Sequence, residues 1–178
     1  MSEIQIKDLT FIPYINEPDL LQAVNDVAQK INSDYAGKEV LFVGVLNGVF
    51  MFASDLLKQI DLKCQISYVK LSSYDGTQST EVVKQLFGLT ESVENKHVIL
   101  LEDIVDTGIT IDGLYNDLMK QKPASLEICT LLFKPDKYTK GVPIKYIAKS
   151  VPNEFVVGYG LDYDGYGRNY PMIYQLKP

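Results

Sequence analysis

Between residues 18 and 35, Leu20, Leu21, Val24, Val27, Ala28 and Ile31 recur at helical spacing, and Pro18 falls in the first turn after Asn16. The pattern predicts an amphipathic helix that Gly37 ends. The period then changes. Residues 40–46, VLFVGVL, form a short run that is apolar on both faces, which predicts a buried parallel strand. A second helix is expected from about residue 49 to residue 60, with Phe52, Ala53, Leu56 and Leu57 on its inner side. A partly alternating strand over 62–71 leads into SSYDGTQST, a polar stretch with Gly76 and no apolar anchor, which reads as a mobile loop.

Further on, HVILLED predicts another apolar strand, followed by a helix beginning near Ile111 in which Ile111, Leu114, Tyr115, Leu118 and Met119 share one face. Ser125–Phe133 and residues 155–158 read as two more strands. The tail from Gly158 is rich in Gly, Tyr and Asp, which predicts irregular structure near strand ends. Strands alternating with helices imply an α/β fold with a mainly parallel sheet flanked by helices. There is no internal repeat and no low-complexity segment. In such sheets the ligand lies at the carboxyl ends of the strands, so function is sought just after each strand.

Composition narrows the picture. At 178 residues with 46% hydrophobic content, the chain suits one compact domain with room for a small added lobe. No apolar run approaches the roughly 20 residues that span a bilayer, and MSEIQIKDLT lacks the pattern of a signal peptide, so a soluble cytoplasmic protein is expected. A net charge of −6 opposes nonspecific attraction to nucleic acid or an anionic membrane and favours a small-molecule substrate. Cys64 and Cys129, each in an apolar, strand-like stretch, read as two buried free thiols. The single histidine, His97, sits where a strand begins and reads as a surface or strand-edge residue, which leaves acid-base work to carboxylates.

Residues 98–110, VILLEDIVDTGIT, carry the densest chemistry. An apolar strand runs into Glu102 and Asp103, then Asp106, then a turn containing Thr107, Gly108, Ile109 and Thr110 that opens a helix. Unpaired backbone N–H groups and hydroxyls at a helix N-terminus suit a phosphate monoester, and Gly108 permits the tight backbone around it. Adjacent carboxylates at the strand end can hold sugar hydroxyls or Mg²⁺. Read singly, Glu102 and Asp103 could simply end a strand, and Asp106 or Thr107 could cap the helix. Three carboxylates beside a phosphate-like cradle create repulsion that a structural cap does not need. A response-regulator receiver usually has its acidic pair near the N-terminus, whereas this cluster lies mid-chain.

The string LLEDIVDTG closely resembles the phosphoribosyl pyrophosphate signature of the type I phosphoribosyltransferases. Further segments resemble the hypoxanthine-guanine family in its own order: VGVLNGVFMFASDL its pyrophosphate loop and following helix, KLSSYDGTQST its flexible catalytic loop, LLFKP its purine-contact strand, and VPNEFVVGYGLDYDGYGRNYP its base-stacking and closing segment. The EDIVDTG string marks the superfamily, and FVVGYGLDY is more specific for the purine subgroup. The implied fold is a single domain over residues 1–178, with its core at about 37–150 and a small hood formed by the terminal segments and a flexible loop.

The resemblance also implies roles. Glu102 and Asp103 hold the ribose hydroxyls with Mg²⁺, the segment from Asp106 to Thr110 cradles the 5-phosphate, and Asp106 is the acid-base residue facing purine N7. Lys134 donates to the exocyclic oxygen at purine position 6, where adenine instead presents a donor. Phe155 stacks on the base, the Val156 backbone reads its edge, and Asp162 helps position a second Mg²⁺ through water. Leu46, Asn47 and Gly48 bind pyrophosphate through backbone groups, with a cis peptide bond between Leu46 and Asn47. Ser73 and Tyr74 close over the reacting centre, and Arg168 contacts pyrophosphate. The implied partners are phosphoribosyl pyrophosphate and 6-oxopurine bases, with no nucleic acid and no membrane, in a homodimer or homotetramer.

Two positions depart from the family pattern. Many relatives have a basic residue at the position of Asn47, and some have Lys at that of Ile109, so altered phosphate affinity is expected rather than lost function. Two alternatives stay open at this point: a xanthine-preferring relative, and a catalytically weak nucleotide- or RNA-binding regulator on the same fold.

Overall fold

The structure is a computed structural model and describes residues 2–72, 84–89 and 91–178. The chain opens with a hairpin of two strands, β1 (Ile4–Ile6) and β2 (Leu9–Ile15), where no element was expected. Helix α1 (Glu17–Asp34) follows at the expected place. The Asn16 side chain accepts the Asp19 N–H at 2.9 Å, Pro18 occupies the first turn, and Leu20, Ala23, Val24, Val27, Ala28 and Ile31 are buried. Just beyond the helix, Gly37 takes φ +76°, a left-handed conformation that suits glycine.

Next come β3 (Glu39–Leu46), α2 (Phe50–Leu57), β4 (Lys63–Ser72), β5 (Lys84–Phe87), β6 (His97–Val105), α3 (Ile109–Met119), β7 (Ser125–Phe133) and β8 (Tyr146–Ser150). The strands build a six-stranded sheet in the order β5-β4-β3-β6-β7-β8, parallel throughout except for β5 at one edge. The continuous apolarity of β3 and β6 follows from burial on both faces. Phe42, Ile99 and Leu101 pack with α1 and α2, while Leu41, Val43, Val98 and Leu100 pack with α3 through Ile111, Leu114 and Leu118.

β9 (Val156–Val157) and β10 (Ile173–Leu176) join the N-terminal hairpin in a second, antiparallel sheet of order β1-β2-β10-β9. Its own small core is Ile6, Phe11, Val157, Met172 and Tyr174. The tail read as irregular therefore contains a strand, paired through Leu176 with Phe11 and through Gln175 with Val156.

Several local expectations are corrected. Cys64 is exposed, whereas Cys129 is buried as expected, because Cys64 lies near the start of β4, beyond the cover of the helices. Met119 ends α3 and is exposed, outside the buried stripe. Helix α2 stops at Leu57 and α3 starts at Ile109, each differing by two or three residues from the periodic pattern, where turns continue or anticipate it. His97 begins β6 as expected, half-buried, with Nδ1 2.8 Å from Ser125 Oγ.

Candidate active site

β6 continues past its apolar run, so Glu102 and Asp103 belong to the strand itself, at its carboxyl end. Glu102 is buried, and its Oε2 has no hydrogen-bond partner. Burial pushes its carboxyl well above the usual range, and the neighbouring Asp103 adds to the shift. Asp103 is pushed up to about 6, mainly by burial. Its Oδ1 accepts the Ile104 N–H at 2.8 Å, and that bond and the nearby Arg168 partly offset the burial.

After β6 the chain turns through Thr107 and Gly108 into α3. Gly108 is the N-cap, with φ +82°, and a Cβ there would strike the Tyr138 ring. No side chain caps this helix, and the Thr107 hydroxyl accepts the Ile109 N–H only at 3.5 Å. The first-turn N–H groups thus face a concavity of about 100 Å³, lined by Glu102 and by every residue from Ile104 to Ile111. A larger cavity of about 460 Å³ lies at the opposite ends of the strands beside Lys38 and His97. The carboxylates and the uncapped helix converge on the smaller one.

Asp106 does not cap α3. Its Oδ2 receives Lys134 Nζ at 3.3 Å and Lys137 Nζ at 3.4 Å, while its buried Oδ1 has no partner. Lys134 is itself buried, which excludes the plain surface lysine that its residue type alone suggests. Lys137 was missed in the sequence. It lies three residues beyond Lys134, in a turn closed by the bond from Lys137 N–H to Lys134 O, and nothing in its residue type points to Asp106.

The turn after β3 supplies the second wall. The Leu46–Asn47 peptide bond is cis, as the family resemblance implied. Gly48 is enclosed on two sides: a Cβ on it would overlap the Asp103 carboxylate, and a Cβ on Gly160 would overlap Gly48 O. Glycine at both positions lets the backbones of the two sheets meet.

The antiparallel sheet supplies the third wall. Phe155 is 43% exposed, directly before β9, with its ring set against Phe11 and Tyr163 at centroid distances of 6.0 and 5.9 Å. Val156 is buried in β9. Asp162 Oδ1 pairs with Arg168 Nη2 at 2.6 Å, its Oδ2 accepts the Gly165 N–H at 2.6 Å, and Arg168 Nη1 donates to Gly160 O at 2.7 Å. Ser73 and Tyr74 lie outside the described residues.

The donor chemistry fits Mg²⁺. Glu102 and Asp103 are adjacent acids, one with a buried oxygen lacking any partner, which suits a hard cation with oxygen ligands. Among the described residues no three His, Cys, Asp or Glu side chains converge as a complete ligand set, so substrate and water oxygens would supply the remaining ligands.

A parallel sheet ending in an acidic strand, a glycine turn into an uncapped helix and a hood sheet above them together define a type I phosphoribosyltransferase. The model of the phosphoribosyl transferase domain family matches residues 14–164. The hypoxanthine-guanine phosphoribosyltransferase of Staphylococcus aureus is 43% identical over 165 residues, 92% of either chain, and that of Staphylococcus epidermidis is 42% identical over 172 residues, 96% of either chain. The crystal structure of a hypoxanthine phosphoribosyltransferase from Staphylococcus aureus superimposes with a TM-score of 0.89 at 42% identity, covering 94% of this chain and 91% of that one. This chain belongs to the hypoxanthine-guanine phosphoribosyltransferase family.

Proposed function

We propose that the enzyme transfers the 5-phosphoribosyl group of phosphoribosyl pyrophosphate to hypoxanthine or guanine, giving IMP or GMP and pyrophosphate, as a step of purine salvage. The observation that carries this reading is the arrangement around Asp106: a carboxylate with one oxygen held by Lys134 and Lys137 and the other free, directly before the helix terminus.

In this reading the bond from C1 of the ribose to the pyrophosphate oxygen breaks, and a bond to the purine nitrogen forms. The first-turn N–H groups of α3, with Thr107 and Thr110, hold the 5-phosphate. Glu102 and Asp103 hold the ribose hydroxyls. Asp106 accepts the proton that the purine loses through its unpartnered Oδ1. Lys134, already aimed at this site, donates to the 6-oxo group, which selects against the donor of adenine. Phe155 presents an exposed ring, braced by two aromatic neighbours, on which the base stacks. Leu46, Asn47 and Gly48 bind pyrophosphate through backbone groups, and Arg168 adds a positive charge to the departing anion.

Glu102 and Asp103 would hold Mg²⁺, Asp162 would help position a second ion, and the bound metal would supply positive charge against the departing pyrophosphate. The chain acts as one domain with a hood, in the cytoplasm, as a homodimer or homotetramer. Sedimentation velocity distinguishes the two assemblies. Among the described residues, no helix is long and apolar enough to cross a membrane.

Calorimetric titration tests the site assignment. Phosphoribosyl pyrophosphate is expected to bind the wild-type protein in Mg²⁺ and to lose most of its affinity in EDTA or in Asp103→Asn. Equal binding in all three cases contradicts it.

A further inference from the structure

We propose that Tyr159 is a positioning residue for the pyrophosphate loop: by donating its hydroxyl to Asp55 it clamps the hood onto the helix that the loop opens. This rests on reading residues 46–48 as that loop.

Tyr159 is 1% exposed and is the largest fully buried side chain of the described residues. Its hydroxyl lies 2.6 Å from Asp55 Oδ2, joining residues 104 apart in sequence. Asp55 belongs to α2, the helix whose N-cap, Val49, directly follows Gly48. Its other oxygen pairs with the exposed Lys58 at 2.8 Å, so each carboxylate oxygen has a partner. Burial and the bond to Asp55 raise the Tyr159 phenol above its usual range, so it stays a protonated donor.

The residue's surroundings give the bond its reach. Tyr159 takes φ +49°, an uncommon conformation for a tyrosine, and its N–H donates to Tyr170 O at 2.8 Å. The next residue, Gly160, packs against Gly48 O, accepts Arg168 Nη1 at 2.7 Å and donates its N–H to Arg168 O at 2.9 Å. Two residues upstream ends β9, which contains Val156, whose backbone is proposed to read the purine edge, and two residues downstream of Gly160 lies Asp162. The dipeptide Tyr159-Gly160 therefore touches the loop at Gly48 and anchors the loop's helix at Asp55. A displacement of the anchor moves the loop relative to Arg168 and Asp103, and binding that depends on several backbone groups is sensitive to sub-ångström misplacement. Tyr159 reaches no substrate itself and acts through the loop.

A purely structural bond makes a different prediction. Its loss lowers thermal stability and the active fraction without separating one substrate's KM from another's. The test uses the full-length protein in both reaction directions. Tyr159→Phe and Asp55→Ala are expected to raise the KM for pyrophosphate in the reverse reaction by about fivefold, the scale of one ordinary hydrogen bond lost. The purine KM should stay within about twofold in the forward direction, since the stacking and edge contacts remain. Asp55→Asn keeps an oxygen that accepts the phenol proton and should restore the wild-type pyrophosphate KM, while the double variant Tyr159→Phe, Asp55→Ala should be no worse than either single change.

A lowered melting temperature with all KM values unchanged, or with all of them moving together, overturns the proposal. Asn47→Asp, which adds a negative charge to the loop, separates the two levels. If it raises the pyrophosphate KM and Tyr159→Phe does not, the positioning role falls and the loop reading stands. If it leaves that KM unchanged, the loop reading fails and takes the proposal with it.

Discussion

The Asp103 carboxylate lies against the α-carbon of Gly48, so that a Cβ there would overlap Oδ2. Sheet register produces this contact. Gly44 of β3 pairs with Leu101 of β6, and the two parallel strands advance together until Leu46 and Asp103 reach the same level. The turn that follows Leu46 therefore passes across the carboxylate, and only a residue without a side chain fits.

Gly48→Ala tests this contact. The added methyl must displace either the Asp103 carboxylate or the loop, and kcat/KM for phosphoribosyl pyrophosphate is expected to fall by about 100-fold or more. Circular dichroism should still report a folded protein. Near wild-type kinetics would show that the contact does not constrain the site.

The acidic pair should cost stability in the protein free of ligand. Glu102→Gln is expected to raise the melting temperature in EDTA by about 2–4 °C, as relief of about 1 kcal/mol does in a domain of this size, while activity collapses. For Asp103 the sign follows from a carboxyl pushed up to about 6 from an ordinary 3.8. An acid raised on folding destabilises fully above about pH 6, and the penalty fades as pH falls towards 3.8, with a ceiling of about 3 kcal/mol. In EDTA, Asp103→Asn should therefore exceed wild type in melting temperature at pH 7.5, and the gap should narrow at pH 5. A gap that widens on acidification contradicts the assignment.

Asp106→Asn preserves shape and removes the carboxylate proposed as the proton acceptor. Turnover is expected to fall by about 10²- to 10⁴-fold, the range typical of general acid-base catalysis, with far smaller changes in KM. Steady-state kinetics with hypoxanthine measures it, and an unchanged kcat removes Asp106 from the proton transfer.

Lys134→Ala should weaken the preference for 6-oxopurines over adenine, because the donor proposed for position 6 is lost, while Lys137 still pairs with Asp106. Competition between hypoxanthine and adenine reads this directly. A preference that survives intact assigns selection elsewhere.

Much of the parallel sheet was legible because β3, β6 and β7 are buried on both faces and carry continuous apolar runs. The hood was less so. β1 is only three residues long, too short for a period; residues 155–158 read as a strand and hold β9, but nothing in the pattern placed it in a second sheet, and the pairing of β10 with β2 joins opposite ends of the chain. The carboxylates and the glycine turn announced the candidate site through residue type, and Phe155 and Arg168 were singled out by the family resemblance alone. Lys137 and the Tyr159–Asp55 bond left no such mark, because each depends on a contact that only the folded chain creates.

The most direct measurement is nucleotide formation from phosphoribosyl pyrophosphate and Mg²⁺ with hypoxanthine, guanine, xanthine and adenine supplied separately, each product resolved by chromatography. The account predicts rapid IMP and GMP, little XMP and no AMP. Dominant XMP formation, or no nucleotide from any of the four bases, would contradict it.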